Sequence, residues 1–125
     1  MSGIGVFAKY NLFGQYIYSE KIPFSEAKRR LLNFYFPYHR KIKEIIKLTK
    51  EKQKIIVALD FHSMASGLVN KKTDIVISNR NNKSSSIELL NLIKKSFNTY
   101  SYRTDINYPF KGGFITSYYG NPNKN

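Results

Sequence analysis

A chain of 125 residues with 42% hydrophobic content has room for one hydrophobic core, so a single domain over 1–125 is expected. No cysteine is present and no apolar run approaches the roughly 20 residues that span a bilayer, which excludes disulfides, thiolate metal sites and a helical membrane span. The formal charge of +13 comes mostly from lysine interleaved with asparagine, isoleucine and tyrosine, without an RNA-recognition signature, zinc finger or helix-turn-helix spacing, so nucleic acid is the lesser expectation for a partner.

The start, Met1-Ser2-Gly3-Ile4-Gly5, carries neither the basic stretch nor the apolar core of a secretory signal, and a cytoplasmic protein is the expectation. Gly3-Ile4-Gly5-Val6-Phe7-Ala8 fits the letter of a dinucleotide fingerprint, but no strand precedes it and it is set aside. The first twenty residues read as a short extended piece followed by loop.

After Pro23, Ser25 is placed to cap a helix in which Ala27, Leu31, Leu32 and Phe34 or Tyr35 recur at helical spacing. Pro37 lacks an amide donor and clashes with the preceding turn, so the helix is expected to break or kink there. A second helix is predicted from Pro37 to about Gln53, with Tyr38, Ile42, Ile45, Ile46 and Thr49 facing inward. Tyr38-His39-Arg40 would then occupy a first helical turn, where freed amides favour anionic groups. The basic stretch Lys41 to Lys54 lies along this helix as a solvated face.

Lys54 to Asp60 is a continuous apolar run of the kind a strand buried on both faces shows, and a polar loop from His62 to Gly67 follows. Asp74 to Ser78 reads as a second short buried strand, and Asn79 to Ser84 as a turn. Ser85 and Glu88 form a capping box opening a helix through Leu89, Leu90, Leu92, Ile93 and Phe97. Tyr100 to Arg103 alternates like a strand, Lys111-Gly112-Gly113 is a tight turn, Phe114 to Tyr118 is a further strand candidate, and Gly120 to Asn125 is a polar tail. Strands alternating with helices predict an α/β fold, a three-layer, mainly parallel or mixed sheet with helices on both faces.

Ligands of such sheets bind at the carboxyl ends of the strands, the position that Asp60-Phe61-His62-Ser63 would hold. His62 there could ligate a metal, with Asp60 orienting its imidazole; the competing reading is a strand end that uses Asp and Ser to satisfy a loop. The only histidines are His39 and His62, and neither lies in a His-x-x-Glu or His-Glu-x-x-His pair, so no self-contained zinc motif exists. A serine–histidine–acid triad lacks the Gly-x-Ser-x-Gly elbow.

Three segments in order carry a resemblance: Phe36-Pro37-Tyr38-His39, Asp60-Phe61-His62-Ser63-Met64, and Asn107-Tyr108-Pro109-Phe110-Lys111-Gly112-Gly113-Phe114-Ile115-Thr116. With Asp74-Ile75-Val76-Ile77-Ser78-Asn79 between them, and Gly14 to Tyr18 with Arg29 and Arg30 ahead, the set resembles the N-formylglutamate amidohydrolases over nearly the whole chain. The resemblance implies a zinc carboxypeptidase-like (phosphorylase/hydrolase-like) fold and zinc-dependent hydrolysis of N-formyl-L-glutamate or a related N-acyl amino acid, at the end of histidine breakdown. It implies His62 as a zinc ligand supported by Asp60 and Ser63, and Arg30, His39, Asn79, Asn107 and Lys111 as residues lining the pocket and holding a carboxylate substrate. Family members also carry a Pro-His-Ser-Gly-like segment with a further acidic ligand before the region that aligns with Met1, and a glutamate segment after the Gly-Gly-x-Ile-Thr strand. The chain thus reads as a central portion truncated at both ends, its zinc site incomplete and its sheet edge open to a complementing chain or a second copy. The alternatives are a catalytically inactive remnant of such an enzyme and a basic nucleic-acid-binding protein.

Overall fold

The computed structural model describes residues 6–11, 13–64, 66–69 and 72–120, which divide into two compact units at Val57 and Ala58. Gly3, Ile4 and Gly5 of the fingerprint, and residues 121–125 of the expected tail, lie outside the described residues.

In the first unit, Asn11 builds a tight turn. Its Oδ1 accepts from the N–H groups of Phe13 and Gln15, at 2.9 and 3.0 Å, and Gly14 takes φ +79°. The turn brings Tyr10 and Tyr16 into an antiparallel bridge with ring centroids 4.7 Å apart.

Helix α1 (Phe24–Arg30) passes through one π-helical turn (Leu31–Tyr35) into α2 (Phe36–Lys50). Pro37 therefore does not end the helix. Its ring and missing donor disturb the α-helical ladder, and the chain absorbs this by widening one turn, so that Phe36 N–H donates to Leu31 O, five residues back. Because Tyr35 and Phe36 are both helical, Tyr38-His39-Arg40 follows a preceding helix and is not the free helix start expected from the sequence. The half-buried stripe runs Ala27, Leu31, Tyr35, His39, Ile42, Ile46 and Thr49, while Leu32, Phe34, Tyr38 and Ile45 are exposed. The widened turn shifts the helical phase, which puts His39 in the place expected of Tyr38. The α1 cap position is Pro23, without a side-chain hydrogen bond, and Ser25 lies inside the helix.

The predicted buried strand at Lys54–Asp60 is absent: these residues have no strand partner among the described residues, and Ile55 is 83% exposed. A continuous apolar run shows a tendency to be buried, but a strand also needs a neighbouring edge to pair with.

The second unit is organised by a strand–helix–strand motif. Strand β1 (Ile75–Ile77) pairs in parallel with β2 (Thr104–Ile106), in the register Ile75–Thr104, Val76–Asp105, Ile77–Ile106. Helix α3 (Ile87–Thr99) makes the crossover that parallel strands require and packs on both of them. Leu90, 1% exposed, is the centre of this small core, with Leu89, Ile93 and Phe97 half-buried around it. Ser86 caps the helix, accepting from Leu89 N–H at 3.3 Å, one residue later than the expected Ser85.

Tyr100–Arg103 is a helix ending and not a strand. Ser101 takes φ +64°, Tyr102 N–H reaches back to Phe97 O, and Ser101 N–H to Asn98 O. The rings of Phe97 and Tyr102 meet at 6.2 Å, the apolar contact that accompanies such a C-terminal motif. The strand β2 then starts at Thr104. Phe114–Tyr118 also departs from expectation and forms helix α4 (Phe114–Tyr119), with Phe114 and Tyr118 stacked one turn apart at 5.3 Å. The architecture is α/β with a two-stranded parallel sheet among the described residues, smaller than the layered sheet expected.

Candidate functional site

The carboxyl ends of β1 and β2 lie side by side, and each delivers an asparagine. Asn79 follows β1 after one residue and Asn107 follows β2 directly. Asn79 is 3% exposed, and every hydrogen-bonding position of its side chain is engaged. Its Nδ2 donates to Asn82 Oδ1 (3.0 Å) and Ser85 O (3.2 Å), while its Oδ1 accepts from Asn82 N–H (3.0 Å) and Asn107 Nδ2 (3.0 Å). The backbone partners fix the amide orientation, since Ser85 O can only accept and Asn82 N–H can only donate. Asn107 Oδ1 returns the contact by accepting from Asn79 N–H at 2.9 Å.

The turn that Asn79 organises is left-handed at three successive residues, Arg80, Asn81 and Asn82, with φ of 56°, 55° and 66°. Asparagine tolerates this region; for Arg80 it costs on the order of 1–2 kcal/mol. The N–H groups of Lys83 and Ser84 both converge on Asn79 O at 3.1 Å, and the network holds the turn against that strain. Asn107 is itself left-handed, at φ 55°, and its N–H donates to Ile77 O at 2.9 Å, extending the parallel pairing past the strand.

Beyond Asn107 the chain passes a cis Tyr108–Pro109 bond and returns to the β1 loop. Ser78 Oγ donates to Phe110 O at 2.6 Å and Arg80 N–H to Lys111 O at 2.8 Å. The structure thus brings together Asn79, Asn107 and Lys111 of the expected site residues, and adds Arg80, Asn82 and Ser85. Sequence inspection sees Asn79 to Ser84 only as a turn; three polar residues tolerant of left-handed backbone around one arginine are the signal it contains.

His62 and Asp60 stand apart from this network. Their Nε2 and Oδ2 atoms are 3.6 Å apart, longer than a hydrogen bond, and the His62 side chain is 69% exposed. Ser63 is exposed, and neither it nor His62 hydrogen-bonds to Asn79, Asn107 or Lys111 among the described residues.

Arg30 and His39 belong to the first unit. Arg30 Nε binds Glu26 Oε1 at 2.8 Å and a guanidinium nitrogen donates to Tyr18 Oη at 2.7 Å, while Arg29 closes on the same carboxylate at 2.7 and 2.9 Å. Hydrogen bonds from Arg29 and then Arg30 hold the Glu26 carboxyl at about 2. Arg30 and Glu26 line a cavity of about 350 Å3 whose other wall is the Ile17–Pro23 segment. The His39 ring lies against Tyr35, centroids 4.3 Å apart.

The model of one family, N-formylglutamate amidohydrolase, matches residues 1–125, the whole chain. The chain belongs to the N-formylglutamate amidohydrolase family. No curated protein and no solved structure matches it. In this family member no helix among the described residues is long and apolar enough to cross a membrane. The zinc implied by the family resemblance does not fit the described residues as they stand: no group of three or more His, Cys, Asp or Glu could hold a metal, and Asp60 and His62 supply two donors where a protein zinc site uses three or four.

Proposed function

We propose that this chain serves the hydrolysis of N-formyl-L-glutamate or a related N-acyl amino acid, with its substrate bound at the carboxyl ends of β1 and β2. The observation that carries this reading is the family match along all 125 residues. The strand-end corner supports it, because parallel strands close to helices open a crevice at that edge. In the reaction, water adds to the formyl carbon, the C–N bond breaks, and formate and L-glutamate leave. A zinc carboxypeptidase-like fold belongs to the same reading, with β1, α3 and β2 as one strand–helix–strand unit of it. What the chain brings toward a metal is the pair Asp60 and His62.

A second reading, a family member without catalytic activity, is favoured by that two-donor pair. Purified protein decides between them. Formate released from N-formyl-L-glutamate, abolished in His62→Ala and dependent on added zinc, supports the hydrolase. Absence of formate release at saturating zinc, with no zinc retained after dialysis, overturns it and leaves the inactive member.

A further inference from the structure

Helix α2 and the residues just after it concentrate the positive charge of the chain. Seven of the 21 lysines and arginines lie within residues 40–54, against two acidic residues, Glu44 and Glu51. Four of the seven, Arg40, Lys43, Lys47 and Lys50, recur at spacings of three and four and form one exposed ridge along the helix. Tyr38, Ile45 and Leu48, with Lys41 between them, form a second ridge at the same kind of spacing. These three apolar side chains are 55, 53 and 49% exposed. The half-buried stripe from His39 to Thr49 runs between the two ridges. Within the first unit no element but the π-helical turn leading into α2 touches it, and none of the unit's described residues is fully buried. The apolar ridge therefore faces water.

The two ridges together narrow what could cover it. A second copy laid against the apolar ridge would bring two basic ridges close together, and like charges oppose that. A nucleic acid would use the basic ridge for its phosphates and leave the aliphatic side chains of Ile45 and Leu48 without a role. The surface of an anionic bilayer uses both. A helix with an apolar stripe and a basic face lies in the plane of such a surface without crossing it. The ridges are no more than a helix diameter apart, about 10 Å, so the cations stay within about one Debye length of the headgroups at 0.1 M salt. Lys41, on the apolar ridge, can extend its ammonium toward the headgroups while its stem stays in the apolar layer.

We propose that α2 docks the protein on an anionic lipid surface. Tyr38, Ile45 and Leu48 enter the boundary between headgroups and acyl chains, and Arg40, Lys43, Lys47 and Lys50 are held by the negative surface potential.

The test is sedimentation of the full chain with vesicles of phosphatidylcholine alone or with about 30% phosphatidylserine. Wild type sediments with the anionic vesicles and not the neutral ones, and salt at about 0.5 M releases most of it. Lys43→Gln with Lys47→Gln weakens partitioning by about tenfold or more, and Ile45→Asn with Leu48→Asn by about tenfold. Melting temperatures show that each variant is folded. The chain has no tryptophan, so one introduced indole reports alone. Leu48→Trp emission shifts to the blue on anionic vesicles, whereas Leu92→Trp, at an exposed position of α3, does not shift. Equal binding to both vesicle types, binding to neither, or binding unchanged in both double variants overturns the proposal. An equal blue shift at the two tryptophan positions does the same. Retention of a single-stranded oligonucleotide without vesicle binding assigns the basic ridge to nucleic acid. A dimer that depends on Ile45 and Leu48, seen by light scattering without vesicle binding, assigns the apolar ridge to a second copy. Either result overturns the membrane reading.

Discussion

Asn79 and Asn107 bind each other reciprocally across the ends of two parallel strands: the Asn79 N–H donates to Asn107 Oδ1 at 2.9 Å, and Asn107 Nδ2 donates to Asn79 Oδ1 at 3.0 Å. The pair ties positions 28 residues apart and shuts the crossover motif at the edge where a ligand would sit. Asn79→Ala strands several polar partners around a buried site and is expected to cost about 2–3 kcal/mol in urea unfolding. Asn79→Asp should cost a similar amount, because it replaces two donors with an acceptor facing Ser85 O and Asn82 Oδ1. Asn107→Ala, at a half-buried position, is expected to cost less. The double variant should fall short of the sum by about 1 kcal/mol, since the two share contacts.

The opposite end of the strand pair has its own lock, and this one titrates. Arg103 grips Asp74 with Nε and a terminal nitrogen, both at 2.8 Å, and with its backbone N–H at 2.9 Å. These bonds, led by the guanidinium, hold the Asp74 carboxyl well below the usual carboxylate range. Glu26 is depressed in the same sense, from 4.5 to about 2, by Arg29 and Arg30. A folded pKa below the unfolded one means that stability is fully present above the unfolded value and is lost as pH falls toward the folded value. The melting temperature should therefore drop between about pH 5 and pH 2, and high salt should lessen the effect because the pairs are exposed. Arg103→Met should lower the melting temperature at neutral pH and flatten the acid dependence. A profile as steep as that of wild type would show that Asp74 is not among the groups responsible.

Local chemistry made α3, β1 and the Asn79 turn legible, and failed where a neighbour decides. Three serines precede α3, any of which could cap it, and only the backbone course selects Ser86 over Ser85. Phe114-Ile115-Thr116-Ser117-Tyr118 has the side chains of a strand, but the stacking of Phe114 on Tyr118 at i, i+4 holds one short helix instead. Ile55 to Leu59 has the composition of a buried strand, and burial depends on an edge that composition does not reveal. Family resemblance points to Asn79 and Asn107 but not to the left-handed backbone of Arg80, because an arginine in such a turn is visible only once the backbone is.

Pro37 offers a test of the widened turn. If its missing N–H and ring are what convert Leu31–Tyr35 to π-helix, Pro37→Ala restores the donor and lets the α-helical ladder close. A proline in a helix interior costs about 3 kcal/mol relative to alanine, and the π turn already relieves part of that. The expected outcome is a gain of about 1–2 kcal/mol in unfolding free energy, with higher helical ellipticity at 222 nm. The gain comes with a rotated phase of α2 relative to α1, so the half-buried stripe from His39 to Thr49 should change its amide exchange pattern. A loss of stability would mean that the phase of the stripe, and not the proline, sets the turn.

Gly120 ends α4 against the last residues of the Asn79 turn. A Cβ there would fall 2.5 Å from Ser84 Cβ, 2.5 Å from Thr116 O and 2.9 Å from Ser84 O, and two of these three atoms are backbone. Its φ of −79° suits any residue, so the effect of substitution is steric alone. Gly120→Ala should force α4 and the 79–84 turn apart at a cost of about 1–3 kcal/mol, and a larger side chain should cost more. Gly113, at the other end of α4, has open space around its Cβ position and an extended backbone. Gly113→Ser should be neutral or stabilise by a few tenths of a kcal/mol, because the added hydroxyl can cap the helix. Ser84 N–H is bound to Asn79 O, so strain at Gly120 reaches the strand-end network directly. Gly120→Ala should accordingly loosen the Asn79–Asn107 network as well as lower global stability, while Gly113→Ser leaves both intact; amide hydrogen exchange and urea unfolding on the two variants measure both.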